Sequence, residues 1–554
     1  MASNNSFFGL LFTLSMFALA LTSCSNTEKK NTNITPPPPP PPAAKKPDII
    51  VILTDQERYP THWPEGWAEE NLTSMTRLRK HGMTFHRAYT AACECSPSRA
   101  VLATGEYSPT NQVPRTLSPN GLPSDKDLMD VGALLHNQAH YDVVWKGKWH
   151  LSQALNGGRN WTEKDIANLA EKYDLTRWNP PDAGNAITEL LKNPDGTESN
   201  GLTTLGGGYA NNDSRFVEGQ SKDFPRQTPG FGESVLDYLR KVGSMDPENR
   251  SPFCLFISLV NPHDIWVYPT NWEAAGYQKE EFANLGIDFP SNFIDDLSTK
   301  PSVQYKAREA YDIQSPLRGA ASEKEYMNFY AYLNKKVDTQ IATILNTLDQ
   351  LGLTDNTIII RTADHGELGL SHGMREKAYT AYEEMIHIPF IVSNPKMFPT
   401  AQSTQSFYCH LDLLPTLAEI AGVTNFAQYG KGVSIVPILH DPNIAVQDSI
   451  LFAYDDVFML PPDVPSGHIR AIRKEDWTYA VYYSKDGSQF EYEMYDLKKD
   501  PDQLNNLLHG NISPEIKLEA SQLHLKLKEK IDKTGALPAN FPWPENPWIA
   551  KTKS

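Results

Sequence analysis

The sequence predicts an α/β fold: a large mixed, mostly parallel sheet sandwiched by helices, followed by a small C-terminal antiparallel subdomain. Three observations lead there. Continuous apolar runs of strand length recur at Asp48–Thr54, Tyr141–Trp145, Phe253–Val260, Thr357–Thr362 and Ile388–Val392, as expected of strands buried on both faces of a parallel sheet. Between them lie segments with apolar residues three and four apart, the mark of amphipathic helices. After Asn443 the rhythm changes to short alternating runs at 450–453, 468–473, 477–483 and 490–495, which read as antiparallel strands.

Taken in order, the chain begins with a mostly apolar run, Phe7 to Leu21. That is short for a membrane span and fits a signal-peptide core. The run ends in Leu21-Thr22-Ser23-Cys24, which resembles a bacterial lipobox and makes Cys24 a candidate for lipidation, although no Lys or Arg precedes it. Residues 1–23 are read as the signal peptide. Residues 24–46 are read as anchor and linker, because the prolines Pro36 to Pro42 favour a stiff polyproline II rod. The expected product is an exported, membrane-anchored lipoprotein, on the periplasmic or outer side of a bacterial membrane.

The body, 47–443, opens with the Asp48–Thr54 strand, which runs into the polar Asp55-Gln56-Glu57-Arg58. Leu72, Met75 and Leu78 ahead of His81-Gly82 predict a helix with a glycine stop. An apolar run ends near Tyr89, and Cys95 to Leu102 is helix-like. Met129–Leu135 and Ser234–Val242 follow the helical pattern, and Tyr326 to Leu348 predicts a long amphipathic helix. The helix Leu413–Ile420 closes the unit. Two stretches, 152–228 and 266–322, break the rhythm and read as long loops that shape a cleft. Residues 444–554 form the antiparallel subdomain, with a terminal helix over 516–531.

Composition narrows the function. With 51 basic and 67 acidic residues the net charge is −16, which argues against a nucleic-acid partner. Five cysteines in 554 residues make no disulfide scaffold. Asp55 and Asp364 each follow an apolar strand, where α/β sheets bind ligands, and so are candidate metal ligands rather than turn residues.

Several short motifs occur in a fixed order: Asp55-Gln56; Cys95-Ser96-Pro97-Ser98-Arg99 with Thr104-Gly105; Gly147-Lys148-Trp149-His150; Asn261-Pro262-His263-Asp264; Asp364-His365-Gly366-Glu367; and Lys377. Together they resemble the formylglycine-dependent (type I) sulfatases of the alkaline phosphatase superfamily. The resemblance implies that Cys95 is oxidised to 3-oxoalanine by a formylglycine-generating or radical sulfatase-maturing enzyme. It implies a divalent cation, Ca²⁺ with Mn²⁺ as the alternative, held by Asp55, Gln56, Cys95, Asp364 and His365. An imidazole ligand is what favours the alternative. It implies that Arg99 braces the site, that Lys148 and His150 hold the sulfate and the aldehyde hydrate, that His263 is general acid and that Lys377 binds a sulfate oxygen. His372 and Lys146 stay outside this set.

The implied activity is hydrolysis of a sulfate ester, and the polar loops suit a sulfated carbohydrate, algal or host, as substrate. The Asp-Gln and Asp-His pairs also resemble choline sulfatases and phosphonate monoester hydrolases, which keeps a phosphonate or phosphodiester substrate as an alternative. A lipid-anchored carbohydrate-binding protein with a dead site is the non-enzymatic alternative.

Overall fold

The computed structural model describes residues 45–549 apart from 117–120, 124–127, 154–162, 180–212, 219–232, 274, 378 and 456–466. The leader, the Cys24 lipidation and the proline rod fall on residues 1–44, outside the described residues, as does most of 152–228. Residues 46–554 form one compact unit. Among the described residues no helix is long and apolar enough to cross a membrane.

The main sheet has eight strands: β1 (Asp48–Asp55), β2 (Gly82–Tyr89), β4 (Asp142–Gly147), β5 (Arg177–Asn179), β6 (Phe253–Pro262), β7 (Thr357–Ala363), β8 (Phe390–Ser393) and β9 (Gln402–Cys409). Their order is β5-β4-β6-β1-β7-β8-β2-β9. Only β8 runs against the others, pairing antiparallel with both β7 and β2. The central strands are buried on both faces. In β1, Ile49, Val51 and Leu53 enter one apolar layer, while Ile50 and Ile52 enter the other. That is why their sequences read as unbroken apolar runs. The helix Ala320–Gln350 lies on the second layer through Phe329, Leu333, Val337, Ile341 and Ile344.

The second sheet contains β10 (Ser449–Tyr454), β11 (His468–Lys474), β12 (Trp477–Tyr483) and β13 (Phe490–Asp496), all antiparallel neighbours. A fifth strand comes from far away in sequence. β3 (Ala92–Cys93) pairs parallel with β10, Cys93 opposite Tyr454, so the C-terminal sheet is stitched to the segment leading into Cys95. The 266–322 stretch, read as a long loop, contains a helix at Ser302–Gln314. Its buried hydrophobics Val303, Ala307 and Tyr311 stand four apart on one face, while Tyr305 and Ile313 are exposed and blur that period in the sequence.

The helix read over Met129–Leu135 begins at Val131, capped by Asp130, whose Oδ1 accepts from the Gly132 and Ala133 amides at 2.8 and 3.0 Å. Burial pushes the Asp130 carboxyl up to about 7 against the opposing pull of those amides. The folded chain therefore keeps a proton here over a range, from about 4 to about 7, in which the unfolded chain has lost it. Stability falls as pH rises through that window and is level above it. Asp130→Asn preserves the cap through its side-chain oxygen and removes the titration. Between pH 5 and pH 8 the variant should gain on the wild type by about 2 °C or more in Tm. An equal offset at both pH values in thermal denaturation would contradict this.

Candidate active site

β1 and β7 are parallel neighbours in register, Thr54 opposite Ala363. The residues that follow, Asp55 and Asp364, therefore emerge side by side at the carboxyl ends of two central strands, both fully buried. Gln56 then turns with φ 66°, a left-handed backbone rare for a residue with a Cβ, and its amide donates to Asp364 Oδ1 at 3.0 Å.

The helix Cys95–Thr104 is buried along its whole length. Pro97 sits in its first turn, where a missing N–H costs no intrahelical bond. Cys95 and Arg99 are four residues apart and so share one helical face. Arg99 Nη2 lies 2.7 Å from Asp55 Oδ2 and 2.9 Å from Asp364 Oδ2, and Nη1 donates to Ser258 Oγ and to the Lys148 carbonyl. One turn earlier, Cys95 Sγ lies 3.7 Å from Asp55 Oδ1 and 3.3 Å from His365 Nε2. His365 Nδ1 is 3.0 Å from the Gly366 carbonyl. A carbonyl only accepts, so Nδ1 carries the proton and Nε2 presents a lone pair. One ligand atom from each of Asp55, Cys95, Asp364 and His365 lies within 4.8 Å of every other. With metal–ligand bonds of about 2.0–2.6 Å, these atoms can share a single cation. Two carboxylates and an imidazole so held fit a divalent metal.

Basic groups surround this cluster. Lys148 Nζ lies 2.6 Å from Asp55 Oδ2, placed by the continuation of β4 through Gly147. Gly147 has φ 93°, and a Cβ there would meet the Ser258 carbonyl at 2.2 Å. The His150 carbonyl accepts from Ser96 Oγ at 2.7 Å, which joins this loop to the Cys95 helix. His263 follows β6. Asp213, not flagged in the sequence, holds that strand end by accepting from the Val260 and Asn261 amides at 3.0 Å. Asp264 accepts from Tyr277 Oη at 2.6 Å. Lys377 Nζ donates to Gln56 Oε1 at 2.5 Å.

The charges shift one another. Burial would push the Asp55 carboxyl up, but Lys148 and Arg99 outweigh it and hold it well below the usual carboxylate range. Burial, then the charge of Asp55, pushes Asp364 up. Burial and Asp55 push the Cys95 thiol up to about 11. His150 and His263 are held neutral by burial and by the nearby lysines. Burial, then Glu367, pushes Glu376 up to about 7.

The structure thus brings together Asp55, Cys95, Arg99, Lys148, Asp364 and His365, and places Gln56 beside Lys377. The charge of Lys148 reaches both His150 and His263. His372, stacked on Tyr382, faces Asp295 at 2.8 Å and Asn292 at 3.2 Å. Lys146 is paired with Glu233 at 3.0 Å. Neither takes part in the cluster through these contacts. His410 had no signal in the sequence. Its Nε2 lies 3.0 Å from the Ala363 carbonyl and its Nδ1 3.1 Å from Ser98 Oγ, while Ser98 Oγ donates to the Asp364 carbonyl at 2.6 Å. It ties the β7 end to the Cys95 helix.

The sequence profile of the sulfatases matches residues 47–423, and that of the N-sulphoglucosamine sulphohydrolase C-terminal region matches 370–533. The chain belongs to the sulfatase family. It is a type I sulfatase of the alkaline phosphatase superfamily, an enzyme that hydrolyses sulfate esters. It is similar to an N-acetylglucosamine-6-O-sulfatase of Bacteroides thetaiotaomicron, 25% identical over 509 residues, covering 89% of this chain and 86% of the relative. It is also similar to an ulvan-active sulfatase of Formosa agariphila, 25% identical and covering 87% and 81%. A solved structure in complex with its substrate D-glucosamine-2-N,6-O-disulfate shares the fold at a TM-score of 0.61 and 20% identity, covering 89% of this chain and 98% of that one. The sulfatase reading of the motifs and the α/β architecture both hold, with β3 crossing into the second sheet as the feature the sequence did not reveal.

Proposed function

We propose that this sulfatase removes sulfate from a sulfated carbohydrate, with Cys95 as the formylglycine precursor and a divalent cation beside it. The observation that carries the reading is the convergence of Cys95 Sγ, Asp55, Asp364 and His365 within one buried cluster ringed by basic groups. The names of the two bacterial relatives support a carbohydrate substrate.

A thiol pushed up to about 11 is a protonated, weak nucleophile at neutral pH, which suits a precursor that a maturing enzyme oxidises. As an aldehyde hydrate, the side chain supplies two hydroxyls on one carbon, one to attack sulfur and one to let sulfate leave. Asp55, Asp364, His365 and the second lone pair of Gln56 Oε1 would hold the cation, Ca²⁺ or Mn²⁺, which polarises the sulfate and the attacking oxygen. Arg99 holds the two carboxylates in place and opposes the loss of their charge. Lys148 and Lys377 neutralise the sulfate oxygens as charge develops. His150 orients the hydrate and takes its proton. His263, held neutral by burial and the nearby lysines, gains a proton as the substrate's negative charge arrives, and donates it to the leaving sugar oxygen.

Two measurements test this reading. Mass spectrometry of active protein should show the Cys95 peptide as the aldehyde, and Cys95→Ala should abolish turnover; an active protein with an intact thiol contradicts it. His263→Ala should slow a sulfated sugar by about 10²–10⁴-fold but a nitrophenyl sulfate far less, since the nitrophenolate leaves unaided. Equal losses on both substrates would remove His263 from the acid role.

The apolar run and Leu21-Thr22-Ser23-Cys24 support export and lipid anchoring at Cys24. Cys24→Ser should move the protein from the membrane to the soluble fraction, and unchanged membrane retention would contradict the anchor.

A further inference from the structure

Lys377 carries its charge on a flexible four-carbon stem, and something must hold it on the Cys95 side of the site. The Gln56 amide does so through an arrangement absent from the motif analysis. Its Nε2 donates to Glu367 Oε2 at 2.5 Å and to Glu376 Oε2 at 2.9 Å. Both amide hydrogens are thereby engaged, and Oε1 accepts from Lys377 Nζ at 2.5 Å. All four side chains are buried. The flipped amide would set its oxygen against the Glu367 carboxylate and its nitrogen against the Lys377 ammonium group. Both contacts are repulsive, so the network admits one orientation.

The carboxylates are fixed in turn. Glu367 Oε1 accepts from Tyr326 Oη at 2.8 Å and from the Gly369 and Glu376 amides at 2.9 Å. Gln56 and Glu376 both hold left-handed backbones, φ 66° and 65°. Such conformations persist in residues with a Cβ where the surroundings over-determine them.

We propose that Glu367 and Glu376 are positioning residues for the sulfatase reaction. Together they clamp the Gln56 amide with its oxygen outward, and through it hold the Lys377 ammonium where it meets the sulfate. Neither carboxylate touches the substrate. The proposal rests on the reading of Lys377 as a sulfate-binding group.

The test uses enzyme matched for formylglycine content, with 4-nitrophenyl sulfate as the probe. Glu376→Met keeps the volume and removes the acceptor, whereas Glu376→Gln retains one. Glu376→Met should lower kcat/KM by about tenfold or more, and Glu376→Gln should restore most of it. In a Lys377→Ala background the same Met substitution should cost several-fold less than in the wild-type background, because the ammonium it positions is gone and only the hold on Gln56 as a cation ligand is left to lose. Circular dichroism and Tm establish folding, and Glu376→Ala replaces the Met variant in the same design if that one does not fold. Full activity of the acceptor-free variant overturns the proposal. So does a Gln variant as slow as the Met variant, or a loss that multiplies in the Lys377→Ala background; that last result leaves the reading of Lys377 intact. A Lys377→Ala enzyme within about threefold of wild type removes the reading of Lys377, and the clamp with it.

Discussion

The site depends on one contact, the Arg99 guanidinium set between Asp55 and Asp364. Two parallel central strands in register deliver two buried carboxylates to the same place. Buried like charges repel strongly in a medium of low dielectric, so they need a compensating cation. Arg99 supplies it from the Cys95–Thr104 helix. Because Cys95 is one turn earlier on the same helical face, satisfying the carboxylates also fixes where the sulfur stands. The spacing of the cysteine motif is thus a geometric consequence of charge compensation, and the position of Cys95 follows from packing laid down by the sheet.

Around that contact the site is arranged so that each charge is specified by its neighbours. Asp55 is held ionised by Lys148 and Arg99, which outweigh its burial. The two histidines that face the same lysines are held neutral and are ready to accept protons once an anion enters. A site with this much buried positive charge is preorganised for an anionic sulfate ester. The supporting residues lie one layer out: Asp213 at the end of β6, His410 under β7, and the pair Glu367 and Glu376 behind Gln56.

The part of this that was legible in the sequence is the local part. Apolar runs ending in Asp55 and before Asp364 give themselves away, because burial on both sheet faces leaves no polar positions in the strand. The Cys95–Arg99 spacing is visible because both residues lie on one helix. What could not be read are pairings between distant segments. β3 is two residues long and finds its partner at Ala453 and Tyr454, with no pattern of its own. β9 alternates exposed and buried positions at its start and was overlooked among the apolar strands. Glu367 lies inside a motif, yet its contacts are with Gln56, 311 residues away, and with Tyr326 of the long helix, 41 residues away. The uses of Asp213 and His410 are likewise defined by what folds against them.

The central claim is that the acidic cluster beside residue 95 is a cation cradle. Crystals of the enzyme grown with Mn²⁺ and measured at the manganese absorption edge test it directly. The account predicts a strong anomalous peak bounded by Asp55, Asp364, His365 and residue 95. A map with no peak there, or with its only ordered peak elsewhere on the molecule, would contradict it.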